Sequence, residues 1–194
     1  PSWRANHLLL APHRLGFFLG MVVLVAASTW WALVQSDRAT GGISLRYAMS
    51  PSLVHGAVMS LGFMPLFFSG FLFTAGPKWL QVQPPVARQM LPAVLLQAVG
   101  WLLWLVGAHV PGVALVGLAC AVLGQAWVAR DFWRLLRRSH MEDRLHARCV
   151  AIACAVSPLS LLGLWFSLFG GADALALVWI QTGLWGGVVA VFVV

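Results

Sequence analysis

LGFFLGMVVLVAASTWWALV, residues 15–34, runs for twenty positions without an Asp, Glu, Lys or Arg. An α-helix needs roughly 20 mostly apolar residues to cross a bilayer core of ~30 Å, so this stretch reads as a membrane span. Five more runs of the same kind follow, at 53–75, 91–108, 113–129, 149–169 and 175–194, and none of them holds a charged residue either. An unpaired charge in hydrocarbon is costly, so the spacing of the charges marks the ends of the spans. The first run is too long for a signal peptide, and no small-residue cleavage site follows it. The expected fold is therefore all-α, a polytopic membrane helix bundle with six transmembrane helices in one transmembrane domain.

Composition agrees with that pattern. The chain has 194 residues, of which 61% are hydrophobic and 9% charged, and its mean hydropathy is +0.88. A soluble domain carries about 25% charged residues, so a water-soluble globule is excluded. The net charge of +7 points to an anionic membrane face and not to nucleic acid. Three Cys without CxxC spacing exclude a disulfide framework, a zinc knuckle and the CxxCH of c-type haem attachment.

The basic residues orient the bundle. Arg4 and Arg14 precede the first span, Lys78 and Arg88 lie between the second and third, and Arg130, Arg134, Arg137, Arg138, Arg144 and Arg148 between the fourth and fifth. Only Arg38 and Arg46 fall in the alternate loops. Short cytoplasmic loops carry the excess of Lys and Arg, which predicts a cytoplasmic N-terminus. The link from His109 to Gly112 is short enough to make spans 3 and 4 an antiparallel hairpin. Residues 131–148 interleave Phe132, Trp133, Leu135, Leu136, Met141 and Leu145 with arginines. That pattern predicts a continuation of the fourth helix that then lies on the lipid surface. The last run stops at Val194 with no polar flank, which predicts a chain that continues, so that these spans form half of a larger bundle with further helices or a partner subunit.

With no carboxylate in any span, histidine is the residue type left to carry chemistry. Topology puts His55 and His109 at the outer face, and His7, His13, His140 and His146 at the inner face. Imidazoles at facing helix ends suit haem iron or copper. His55 and Met59 are four apart and share one helix face, and imidazole with thioether is a pair that suits copper. Gly62 and Gly70, below them, allow close approach of either a flat macrocycle or a neighbouring helix. Cys149, Cys154 and Cys120 read as packing residues. Gln97, Gln125 and Gln181 read as hydrogen-bonding groups between helices. No phosphate loop, Ser/His/Asp arrangement or HExxH is present.

The segment HGAVMSLGFMPLFFSGFLFTAGPKW, residues 55–79, resembles the signature of the NnrS family. In that family a His is followed four residues later by Met, then Gly-Phe, then G-F-L-x-T-A-x-P-x-W. The matching positions are His55, Met59, Gly62, Phe63, Gly70, Phe71, Leu72, Thr74, Ala75, Pro77 and Trp79. PHRLGFF, residues 12–18, and DRLHAR, residues 143–148, are similar to the family's approaches to helices 1 and 5. The sequence departs from the pattern at Ala57 and Val58, where many members carry His and Glu. The resemblance implies a multi-pass protein of the bacterial inner membrane that holds haem b and copper and binds or processes nitric oxide, in denitrification or in tolerance of nitrosative stress. Members of the family have about twelve spans, which implies the N-terminal half. Carried over by motif, the cofactor-binding residues are His13, His55 and His146, with Met59 and His109 as further metal ligands. Two other functions remain open on the same residues: a di-haem b electron-transfer subunit, and half of an inverted-repeat transporter.

Overall fold

The computed structural model describes residues 5–193. Arg4, one of the basic residues preceding the first span, and Val194 lie outside the described residues. The chain is helical, with no strand among the described residues. Among the described residues, six helices are long and apolar enough to cross a membrane: α1 Pro12–Thr40, α2 Pro51–Trp79, α3 Ala87–Gly107, α4 Pro111–Arg138, α5 Leu145–Phe169 and α6 Ala176–Val193. Every expected span is present. α1, α2 and α4 run past the apolar stretch into polar flanks, because helix propagation continues until a stop signal and not until the first charge. In α1 that signal is Gly41, whose φ of 64° lets its N–H return to the Asp37 carbonyl at 2.7 Å, a conformation that costs glycine least.

α3 and α4 form the expected hairpin, joined through Ala108 to Val110, and they pack along their length. The cause is a row of small residues on each helix, Ala93, Gly100 and Gly107 seven apart on α3 and Ala114, Gly117 and Gly124 facing them on α4. A Cβ on Gly100 would stand 2.6 Å from the Gly117 carbonyl, one on Gly107 2.4 Å from Ala114 Cα, and one on Gly124 2.7 Å from the Ala93 carbonyl. Small residues of this kind bring membrane helices to van der Waals contact where hydrophobic driving force is missing. α4 then packs on α5, α5 on α6, and α1 on both α2 and α3.

α2 is not a uniform helix. Val58–Phe63 is a π-helical turn, followed at once by Pro65, which has no N–H to offer the Leu61 carbonyl four residues back. The Gln125 side chain of α4 satisfies that carbonyl instead, donating from Nε2 at 2.5 Å. A second π-helical turn, Gly183–Val189 in α6, packs against the first, with Leu61 filling the space a Cβ on Gly183 would need.

The segment after residue 130 behaves differently from the expectation. α4 does continue through Arg138, and its apolar side is divided, with Trp133 and, beyond the helix, Leu145 exposed while its other apolar residues turn into the protein. Phe132, Leu135 and Leu136 are buried in a second core with Leu72, Phe73, Leu80, Met90, Val150 and Ala151, and Phe132 occupies the hollow over Gly76. Ser139 then donates to the Leu80 carbonyl at 2.8 Å. Helical periodicity alone identifies an apolar face and not what covers it; here the lower end of α2 and the start of α5 cover Phe132, Leu135 and Leu136. Arg134, Arg137 and Arg138 are exposed, Arg130 and Arg134 share Asp131 at 3.1 and 3.3 Å, and the half-buried Arg144 donates to the Ser139 carbonyl at 3.0 Å.

Candidate metal and ligand sites

Two ends of the bundle are distinguished by charge. The basic end carries Arg14, Lys78, Arg88 and the Arg130–Arg148 group, and the opposite end carries Arg38 and Arg46.

At the basic end, α1 crosses α2 at the closest approach in the molecule between these two helices. A Cβ on Gly16 would be 2.5 Å from the Gly70 nitrogen, and one on Gly70 would be 3.0 Å from His13 Cα. Gly70 therefore serves a neighbouring helix, as Gly62 does for Trp101, whose ring lies 2.8 Å from where a Cβ would sit. This crossing sets the His13 ring beside Thr74, with Nδ1 3.3 Å from Oγ1. The Thr74 hydroxyl has one hydrogen and donates it to the Gly70 carbonyl at 2.8 Å. His13 Nδ1 must then be the donor, which leaves Nε2 of the neutral ring with its lone pair available. An imidazole whose other nitrogen is fixed by a hydrogen bond is the usual arrangement of a metal ligand.

His146 stands at the same end, at the start of α5, with its ring edge-on to Trp79 at 5.4 Å. It lines a cavity of about 400 Å³ between α2, α3, α4, α5 and α6. Cys154 also lines this cavity and, like Cys120 and Cys149, is a free thiol.

At the opposite end, two adjacent tryptophans of α1 each take one histidine. Trp31 stacks on His55 at 4.3 Å with an interplanar angle of 13°, and the Arg38 guanidinium covers Trp31 at 5.4 Å. His55 Nδ1 is buried and has no hydrogen-bond partner. Trp30 donates from Nε1 to His109 Nε2 at 3.2 Å, and His109 Nδ1 donates to the Arg46 carbonyl at 2.6 Å. Both nitrogens of His109 are thus engaged, and they tie the loop after α1 to the α3–α4 turn. Tyr47 lies against the same ring at 5.4 Å. Met59, in the π turn, is half-buried and packs against the main core.

These positions divide the predicted ligands. His55 and the Thr74 partner of His13 are nineteen residues apart on α2, about 28 Å along a helix, so His55 and His13 cannot serve one metal. No group of three or more His, Cys, Asp or Glu side chains with metal-binding spacing occurs among the described residues. Sequence reasoning missed Thr74 as the residue that fixes a histidine, and it missed the Trp30 and Trp31 pair. Thr74 was visible inside the quoted motif, but its partner is sixty-one residues away.

A bundle of six apolar helices, with the charged side chains and histidines at its two ends among the described residues, defines a multi-pass membrane protein. The family described as NnrS protein matches residues 7–194, nearly the whole chain, and the chain belongs to that family. No curated protein and no solved structure matches it.

Proposed function

We propose that this chain forms part of a haem b and copper protein of the bacterial inner membrane that binds or processes nitric oxide, in nitrosative-stress tolerance or denitrification, with its N-terminus on the cytoplasmic side. The observation that carries the reading is His13: a histidine whose Nδ1–H is held by Thr74 and whose Nε2 lone pair is available. The donors present fit a neutral-imidazole site at each end of the bundle. His13 is the ligand at the basic end, and His55, with an unpartnered ring nitrogen, is the ligand at the other. His109 fits less well, because a metal would have to displace Trp30 or the Arg46 carbonyl.

Bound haem iron would supply a coordination position for nitric oxide, and copper a one-electron couple. The chain's own residues do the positioning. Thr74 sets the rotation of the His13 ring, the Gly16–Gly70 crossing sets its distance from α2, and the Trp31 face sets the plane of His55. Beyond His13 and His55, the remaining ligands would come from His146, Met59, further helices or a partner subunit.

The test is a reduced-minus-oxidised absorption spectrum of the detergent-purified full-length protein, with iron and copper measured in the same sample. A b-type spectrum with stoichiometric copper is expected, and a nitric oxide titration should shift it. His13→Ala and His55→Ala should each lower bound metal, and unchanged iron and copper in both variants would remove them from the site. The separation of the two imidazoles by about 28 Å also favours one other reading, a di-haem electron-transfer subunit with one haem per face. That reading requires two haems per chain and no copper.

A further inference from the structure

The cavity beside α2 contains polar atoms that the bundle leaves unmatched. Its walls are mostly apolar and aromatic, with Phe67, Phe68, Phe71 and Trp79 on α2 and Phe192 on α6. Phe71 and Phe192 are exposed on the outer, lipid-facing surface, so the cavity communicates sideways with the bilayer. At its deep end stand Gln97 and Gln125, 1% and 3% exposed. Both amide atoms of Gln97 and the Oε1 of Gln125 are buried without a hydrogen-bond partner. An unsatisfied polar group inside a membrane is expensive, and removing Gln97 for a leucine would cost the fold nothing that these contacts reveal. Its place in the core therefore calls for a ligand.

The donor and acceptor inventory says which kind. Gln125 Nε2 is committed to the Leu61 carbonyl, which fixes its Oε1 as an acceptor. Gln97 offers one donor group and one acceptor whichever way its amide is turned. The deep end thus presents two free acceptors beside the N–H groups of Gln97 and the second N–H of Gln125. A carbonyl ligand could use only the donors and would leave both acceptors unpaired; a hydroxyl can donate to one amide oxygen and accept from the Gln97 nitrogen. No Lys or Arg lines the cavity among the described residues, so the carboxylates of a haem would find no counter-charge there. A flat, uncharged, hydroxyl-bearing ring between aromatic walls, entering from lipid, meets all of these conditions.

We propose that this cavity binds the head group of an isoprenoid quinol, with a ring hydroxyl on Gln97 and Gln125 and the ring between the α2 aromatics. The site goes beyond the nitric oxide reading and stands whether or not His13 and His55 hold metals.

The test uses the full-length protein in phosphatidylcholine nanodiscs free of quinone, with decylubiquinol as the probe and decylubiquinone as its oxidised control. Binding is read as a saturable rise in melting temperature, and an azido-substituted benzoquinol maps the position by photolabelling. Wild-type protein should be stabilised more by the quinol than by the quinone, with label on α2 near Phe67–Phe71 or on α5 near Cys154. Gln97→Leu should retain the melting temperature of the free protein and lose about tenfold in quinol affinity, the loss expected for a hydrogen-bonded hydroxyl. Cys154→Phe, which fills the cavity from α5, should abolish the label. Equal binding of quinol and quinone, or Gln97→Leu binding as wild type, would overturn the proposal; so would a non-saturable shift, which would leave water as the partner of Gln97.

Discussion

Gln125 bonds to a backbone carbonyl that proline has orphaned, and this relation can be measured. Gln125→Leu keeps the volume of the side chain close to the original but removes the donor to Leu61. The carbonyl is then buried at mid-bundle, and Pro65 has no N–H with which to replace the lost bond. A buried acceptor left unmade costs about 1–3 kcal/mol in soluble proteins, whereas interhelical hydrogen bonds in membranes average about 0.6 and reach about 1.7 kcal/mol. Because Pro65 removes the donor four residues on, the upper part of the membrane range applies, about 1.5 kcal/mol, or roughly tenfold in the unfolding equilibrium. Equilibrium unfolding in mixed micelles, followed by tryptophan fluorescence as the denaturing detergent fraction rises, measures it directly. The second arm is Pro65→Ala, which returns an N–H to the chain within reach of Leu61. In that background Gln125→Leu should cost less than half as much. A neutral Gln125→Leu, or an equal cost in both backgrounds, would refute the account of why a glutamine sits in this span.

Four further outcomes follow from the same contacts. Thr74→Val should leave the bundle folded yet reduce bound metal in the purified protein several-fold, because His13 loses the partner that fixes its tautomer; metal equal to wild type would make the pair purely structural. His109→Ala should lower the unfolding midpoint by the loss of two hydrogen bonds, about 1–3 kcal/mol, and leave bound iron and copper as in wild type. Phe132→Ala should cost about 3–5 kcal/mol in the same unfolding assay, a value near zero being the result that a lipid-lying segment would give. Gly100→Leu should prevent close pairing of α3 and α4, seen as loss of folded protein in size-exclusion chromatography, while Gly56→Leu, where nothing lies within 4 Å of the added carbon, should fold normally.

The spans were legible because hydrocarbon excludes charge, and the α3–α4 hairpin because its link is short. The fate of residues 131–138 was not, since Phe132, Leu135 and Leu136 have the same spacing whether lipid or the lower end of α2 covers them. The family motif named His55, Gly62, Gly70 and Thr74, but the physical reason for each lies on another helix. Gly62 makes room for Trp101 on α3 and Gly70 for α1, and Thr74 matters because His13 stands beside it. The π turn at Val58–Phe63 left one sequence trace, Pro65, and its consequence appears only at Gln125, sixty-four residues away in sequence from Leu61. Histidine count and topology gave two layers correctly, yet could not say that His109 is tied at both nitrogens.

Hydrogen-bond state separates the polar residues of the bundle more sharply than their position does. Trp104 donates to the Val54 carbonyl at 3.1 Å and Trp165 to the Leu115 carbonyl at 3.0 Å, and with Gln125 and His109 they join helices that have no hydrophobic reason to associate in lipid. Those bonds are accounted for by the fold. Gln97, His55 and the Oε1 of Gln125, like Trp101 Nε1 and Tyr47 OH, are buried polar groups that the bundle leaves without a partner. In water such atoms could be solvated at little cost, but within a membrane bundle they raise the free energy of the folded chain. Leucine or phenylalanine at Gln97 or His55 would avoid that cost, and a ligand would offset it, at one place where Trp31 stacks on the imidazole and at the other at the base of an aromatic cavity. The two lie at different depths on different helices, so a ligand that satisfied one could not satisfy the other, and the sites proposed at His55 and at Gln97 call for two distinct partners.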